Sequence, residues 1–420
     1  MLSAAEQFAL GEKRRKAIRR ADHAGWDVAK RRESPLKLMA ASMVGRVTPL
    51  VALKYERMAV SPFGYFRGAV PVMAYDLSLL ANTEMTTQLC GDAHVRNLGA
   101  YAGPDGRLVF DINDFDETIV GPFEWDVKRM ATSLILAGRE AGAKHVQCRE
   151  AAAVFLEQYR TTMWEMSKMS KMPVLGVARY QVHRLRSVTP VDGILRMAER
   201  ATPLHSLEAL TEPVVAARAA KKSTAKKVAS KSESEVVLKD SARRFKTLKP
   251  VLTRVTGLAE QQVLDSLTMY AQCLEPQRRH LLEQYRPLDV AFKVVGTGSV
   301  GLRDYVVYLQ GNGVKDPLFL QVKEESESAY ARYVGRKSKE HQGRRVVEGE
   351  KAMQLQSDPF LGWTSIDGRE YLVRQLNDHK ASIQMEDLKA AGLMEYAGVC
   401  GGCWPGGMRG RGAARRLRGI

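Results

Sequence analysis

Long hydrophobic runs are missing from this sequence. No stretch approaches the roughly 18 consecutive apolar residues that a membrane-spanning helix requires, so no membrane association is expected. Residues Met1–Leu10 offer no apolar core ahead of the basic stretch Lys13–Arg20, which argues against a secretory leader. Cysteine is scarce. Cys90, Cys148, Cys273, Cys400 and Cys403 make no even framework, and this points to a reducing compartment and a cytoplasmic protein. Cys400 and Cys403 form a single C-x-x-C without a second ligand pair, too little for a structural zinc site. Aromatic residues make up only 7% and do not interleave with the basic runs, so a stacking platform for single-stranded nucleic acid is not indicated. Repeats at solenoid periods are also absent.

Acidic residues are in deficit. Against 64 Lys and Arg stand 47 Asp and Glu, leaving a net charge of +17. The excess is spread over Lys13–Arg20, Arg218–Lys231, Arg336–Arg345 and Arg409–Arg418 rather than gathered in one patch. Arg218–Lys231 is rich in Ala, Lys and Ser and reads as a solvated linker or insertion. No nucleic-acid-binding motif accompanies the charge, so nucleic acid is a disfavoured partner. The basicity suits smaller anionic ligands, nucleotides among them.

What the chain does contain is a change of texture. A basic helix and an apolar helix near Leu36–Val44 occupy residues 1–50, and a turn-rich segment, Val60–Gly68, leads to a buried helix over Ala69–Leu80. Met85–Leu89 and Leu108–Ile112 read as strands, and Trp125–Gly142 and Arg149–Met166 as helices. After Pro287 the pattern becomes β-rich: Val290–Val295, Tyr305–Leu309 and Leu318–Val322 alternate with Gly and Asn turns, followed by a helix over His341–Leu355 and a strand over Glu370–Gln375. The expected class is α+β, with a helical lobe first and a small antiparallel-sheet lobe second. The expected divisions are a basic helical segment (1–50), a helical lobe (51–215), a basic low-complexity linker (216–240), a helical connection with the sheet lobe (241–400) and a tail (401–420).

Two constellations carry chemistry. In the first, CGDAHVRN sets Asp92, His94 and Asn97 on one loop after a strand, and FDINDFDE sets Asp111, Asp114, Asp116 and Glu117 at the end of another. Carboxylates crowded in this way repel one another unless cations relieve them. Oxygen ligands of this kind suit magnesium, which shares its coordination with phosphates and water. Phosphoryl transfer needs an acid to orient an acceptor hydroxyl, and an amide and a carboxylate to hold metal. Asp92 suits the first role and Asn97, Asp114 and Asp116 the second.

In the second, VVGTGSVGLRDYVVYL carries Gly296, Gly298, Ser299 and Gly301. A dinucleotide-binding fold uses the same glycine spacing but opens a helix with it. Here the glycines run into a β-rich segment, and the next β-run delivers Lys323. Glycines let backbone N–H groups approach phosphate, and a lysine neutralises it. Glu348 and Glu350, on the following helix, are the candidates to hold that lysine, with Glu324 ranked behind them. An ATP and magnesium site is the expectation.

G-D-x-H-x-x-N followed by D-F-D resembles the aminoglycoside phosphotransferase and choline kinase branch of the kinase-like superfamily, over about forty residues from Leu89 to Asp126. That resemblance implies that Asp126 steadies the catalytic loop from the next helix, although Cys90 stands where the branch usually has His. The glycine loop comes second here, whereas kinases place it first, so the resemblance implies a two-lobe kinase-like architecture in circularly permuted order. Across nearly its whole length the chain is similar to the bacterial family named domain of unknown function 2252, through RMAVSPFGYFRG, QLCGDAHVRNLG, FDINDFDETIVGPFEWDVKRMATSL, GTGSVGLRDYVVYL and YLVRQLNDHK. In that family's pattern Gln commonly stands at Glu350. Arg57, Arg67, Arg374 and Lys380 fall within matching segments, as phosphate-binding or ion-pairing residues. The family pattern does not continue into GCWPGGMRGRGAARRLRGI after Gly401, and a frameshift near Gly402 is the expected cause.

The function expected is an ATP- and magnesium-dependent phosphotransferase acting on an acceptor that the sequence leaves open. Nucleotidyl transfer and a non-catalytic nucleotide-binding pseudoenzyme are the alternatives, and charge-driven nucleic-acid binding ranks last.

Overall fold

The structure is a computed structural model that describes residues 3–168, 185–214, 243–335, 340–354, 356–376, 379–389 and 391–404. The basic segment at 216–240 and the tail beyond 404 therefore lie outside the described residues, as does the cause proposed for that tail.

Five helices open the chain: α1 (Ala4–Ala17), α2 (Pro35–Ala41), α3 (Thr48–Ala59), α4 (Pro62–Gly68) and α5 (Val70–Ser78). The segment expected to be turn-rich folds as α4. Ser61 caps it by accepting the Gly64 N–H, and Pro62 sits in the first turn, where a missing N–H costs nothing. Then follow β1 (Thr86–Leu89), β2 (Leu98–Ala102), β3 (Leu108–Ile112) and β4 (Ile119–Pro122). β2, which the sequence reading passed over, pairs with β3 in antiparallel register. β1 pairs with β4, so the two motif loops are closed at their bases by ladders. Next come α6 (Glu124–Glu140), α7 (His145–Lys168), α8 (Thr189–Arg200) and α9 (Pro203–Leu210).

A short hairpin of β5 (Thr211–Pro213) and β6 (Arg243–Phe245) leads into the second lobe. This contains β7 (Leu252–Val255), α10 (Leu258–Cys273), α11 (Pro276–Leu282), β8 (Arg286–Lys293), β9 (Asp304–Gln310), β10 (Pro317–Glu324), α12 (Gln342–Met353), β11 (Gly362–Ile366) and β12 (Arg369–Gln375). The strands make one six-stranded antiparallel sheet in the order β11-β12-β10-β9-β8-β7. Every residue of β10 is buried, consistent with its central place. One face of the sheet packs Val307, Leu320, Val322 and Val373 against Val263 and Tyr270 of α10.

The chain then returns to the first lobe. β13 (Ala381–Ser382) pairs with β2, and α13 (Ala391–Cys403) packs along α7. Tyr396 Oη donates to the Val95 carbonyl at 2.8 Å. A Cβ at Gly401 would lie 2.4 Å from the Phe155 carbonyl oxygen, so the two helices meet almost backbone to backbone. Within the stretch 241–400, expected as a helical connection and then the sheet lobe, residues from 379 onward pack with the helical lobe. Gly401–Trp404 are buried with them. The class is α+β. Among the described residues no helix is long and apolar enough to cross a membrane.

Candidate functional site

The turn after β1 is shaped by Gly91, whose φ of +83° favours glycine. A Cβ there would sit 2.1 Å from the Glu117 carbonyl oxygen, so Gly91 also lets the two motif loops touch. Asp126, in the first turn of α6, accepts the N–H groups of Cys90 at 2.8 Å and Gly91 at 3.1 Å. This is the loop-steadying contact that the resemblance implied. Burial pushes the Asp126 carboxyl up to about 6 despite those hydrogen bonds.

Asp92 is held by a residue that the sequence reading missed. Arg129, fully buried on α6, donates from Nε at 3.0 Å and from one terminal nitrogen at 2.5 Å to Asp92 Oδ1. His94 Nε2 lies 3.6 Å from the other carboxylate oxygen. Burial lowers the His94 imidazole to about 3, with the Arg67 and Arg129 charges adding to the effect, so it is neutral near pH 7. Asn97 donates its amide hydrogens to the carbonyls of Asp92 at 3.0 Å and Asp114 at 2.9 Å, which turns its Oδ1 the other way. That oxygen and Asp114 Oδ1 are both buried and accept no hydrogen bond among the described residues.

The glycine loop joins β8 to β9. Gly296 and Gly301 have φ of +64° and +93°, and Ser299 Oγ turns back to the Val295 carbonyl at 3.4 Å. The carbonyls of the loop are taken by cations of the N-terminal helices. Lys54 donates to Thr297 and Gly298, Arg57 to Gly296 at 2.6 Å and Arg46 to Val300 at 2.6 Å. Burial brings the Lys54 ammonium down to about 7.

Lys323 of β10 brings the two constellations together. Its Nζ lies 2.5 Å from both oxygens of Asp116, which is 207 residues away in sequence. It is also 3.6 Å from Asp114 Oδ1. For Asp114, burial raises the pKa, but Lys323, Arg374 and Lys380 outweigh it and hold the carboxyl below its ordinary range. Burial and the Asp114 charge push Asp116 up to about 6.

The two glutamates expected beside the lysine are elsewhere. Glu348 pairs with Arg344 on the exposed face of α12 at 2.7 Å, and Glu350 is buried where Arg374 and Lys380 influence it. The cause is Gly349 between them. A Cβ at Gly349 would be 2.4 Å from the Thr118 side chain, so α12 presses its backbone on that loop. Its neighbours project about 100° to either side. Glu324, the third candidate, pairs instead with Arg303 at 3.1 Å and Arg369 at 2.8 Å. A further cation joins the lobes: Arg345 donates to the carbonyls of Thr118, Asp116 and Ser326 at 2.6, 2.8 and 3.0 Å.

These parts surround a cleft of about 570 Å³, in which six cations, Arg67, Arg96, Lys293, Lys323, Arg374 and Lys380, face three carboxylates, Asp92, Asp114 and Asp116. Met197, Val295 and Leu376 give it an apolar wall. A second cavity of about 380 Å³ lies across the glycine loop and shares Asp92, Asp116, Gly298 and Ser299 with the first. Among the described residues no group of three His, Cys, Asp or Glu forms a self-sufficient metal cage. The orphaned oxygens of Asn97 and Asp114 nevertheless fit a hard cation that takes its remaining ligands from phosphate and water. Cys400 and Cys403 are free thiols buried in α13.

Fold and cleft together define an α+β protein with a glycine loop, a buried lysine and acidic side chains converging on one basic cleft. The chain belongs to the bacterial family described as "uncharacterized protein conserved in bacteria (DUF2252)", whose model matches residues 46–405. No curated protein and no solved structure matched the chain.

Proposed function

We propose that the protein is an ATP- and magnesium-dependent phosphotransferase of kinase-like type in circularly permuted order. One observation carries the reading: Lys323, delivered by the strand that follows a strand–glycine loop–strand unit, meets the Asp114–Asp116 pair of the first lobe. Kinases use the same local order, with a glycine loop, a strand lysine and then a helix. Here that series follows the catalytic loop instead of preceding it. The apolar wall of Met197, Val295 and Leu376 suits a planar base, and the basic end of the cleft suits a triphosphate.

The roles follow from position. Lys323 and the N–H groups of Gly296–Gly301 would neutralise and seat the phosphates. Asn97 and Asp114 would hold magnesium, which when bound supplies charge neutralisation at the β- and γ-phosphate oxygens. Asp92, fixed by Arg129, would orient the acceptor hydroxyl and take its proton. The hydroxyl oxygen forms a bond to the γ-phosphorus as the bond to the β–γ bridging oxygen breaks, leaving ADP and a phosphorylated acceptor.

The test pairs ATP binding, measured with and without magnesium, with turnover of the wild type and Asp92→Asn. Magnesium-dependent binding is expected in both. Turnover is expected to fall by about 10²–10⁴ in the variant, the usual contribution of a positioned acid–base group. Binding that ignores magnesium, or turnover equal in both proteins, would sink the proposal. Metal-dependent binding with no turnover on any acceptor would leave a nucleotide-binding protein without catalysis.

A further inference from the structure

Two arginines of the cleft have no hydrogen-bonded or ion-paired partner among the described residues. Arg67, near the end of α4, and Arg96, in the turn between Asp92 and Asn97, line the same cavity as Asp92 and His94. The Nε atoms of both are sealed from solvent and make no hydrogen bond among the described residues. A buried guanidinium N–H left without an acceptor carries an unrecovered desolvation cost. The two charges also repel one another: after burial, Arg96 is the largest influence on Arg67, and it lowers its pKa. Asp92 relieves Arg67 only through its charge, without a hydrogen bond, and its Oδ1 is taken by Arg129. Three of the other basic groups contrast with this pair, while Lys293 has only the charge of Asp304 acting on it. Lys323 is bonded to Asp116, Arg374 to Gln321 and the Asn113 carbonyl, and Lys380 to that same carbonyl.

We propose that Arg67 and Arg96 form an anion subsite beside Asp92, and that the acceptor is a small hydroxylated molecule bearing a phosphate or carboxylate group. This rests on the phosphotransferase reading, since the subsite is assigned to the acceptor through its nearness to Asp92. Guanidinium groups are suited to this task because their planar N–H forks match both anions. The charge balance of the cleft agrees with it. Arg67, Arg96, Lys323 and Arg374 already outnumber the three carboxylates, with burial lowering Lys293 and bringing Lys380 down to about 7.

The experiment saturates the protein with magnesium and a non-hydrolysable ATP analogue, then titrates inorganic phosphate, glycerol 3-phosphate, glycerate, glycerol and ethanolamine. Phosphate is expected to bind, and at least one of the two anionic glycerol derivatives is expected to bind at least tenfold more tightly than glycerol or ethanolamine. Glycerol 3-phosphate and glycerate separate a phosphate from a carboxylate preference. Arg67→Gln and Arg96→Gln should each weaken phosphate at least tenfold while analogue affinity stays within threefold, which also shows that the variants are folded. Arg67→Lys and Arg96→Lys should fall between wild type and glutamine. Equal losses of analogue and phosphate would assign the arginines to the nucleotide and overturn the proposal, as would preferential binding of ethanolamine. If the analogue does not bind, the phosphotransferase reading and the acceptor assignment fail together. Phosphate titrated into the free protein then decides the anion subsite alone: a tenfold loss in the glutamine variants sustains it, and no loss removes it.

Discussion

Lys323 shows how much one charge organises here. It is buried itself and meets two partly exposed carboxylates, Asp114 and Asp116, so removing it costs less than the roughly 3–5 kcal/mol of breaking a fully buried pair. Lys323→Met is therefore expected to lose both nucleotide affinity and stability. The sign of the pH effect follows from Asp116. Burial and Asp114 already raise its carboxyl to about 6, and loss of the lysine removes the only one of its major influences that opposes this. In the variant the carboxyl rises further, and below that raised value Asp116 takes a proton and the unpaired charge disappears; above it the charge remains. The stability difference between wild type and variant should therefore grow from pH 5 to pH 8. Urea denaturation at the two pH values measures this, and a difference that shrinks with pH would contradict it. Which acid meets Lys323 was not legible in the sequence. Their place on the helix after the lysine strand singled out Glu348 and Glu350, whereas the partner comes from a loop folded in from the other lobe.

At the level of elements, the two motif loops form one unit. Gly91 allows their contact, Asp126 ties down the backbone N–H groups, and Arg345 links the second loop to α12. Gly91→Ala would force a Cβ into the Glu117 carbonyl at a positive φ. A loss on the order of 2–4 kcal/mol is expected, with turnover reduced further because Asp92 moves with the loop. Chemical denaturation and kinetics of the same variant check both parts. The sheet was largely readable: β8, β9 and β10 alternate between Gly- and Asn-rich turns, and α12 keeps its helical spacing. Local pattern failed where side chains and tertiary pairing decide the matter. PFGYFRG looks like a turn until Ser61 and Pro62 are recognised as a helix start, and LGAYA becomes a strand only because β3 lies beside it. Arg129, Lys54 and Arg345 left no periodic trace, since each acts on groups far away in sequence.

For the whole molecule, the decisive feature is the return of the chain after β12. α13 buries Leu393, Tyr396, Ala397, Cys400 and Trp404 in the same core as Phe155 and Met130. Each large apolar side chain so buried contributes about 1.5–3 kcal/mol, so several together rival the entire 5–15 kcal/mol that holds a typical domain folded. A chain ended at residue 376 is therefore expected to lose its cooperative thermal transition, although both motif loops and the whole six-stranded sheet are present in it. Retention of a sharp transition would show that the helical lobe stands without α13. There is a consequence for synthesis on the ribosome. Domains ordinarily fold as they emerge, the N-terminal one first, but here the earlier lobe waits for α13. While the sheet lobe is being made, the nascent chain carries an open apolar groove along α7, which only α13 closes. Damage to the codons of α13 would thus strike the distant lobe that holds Asp92.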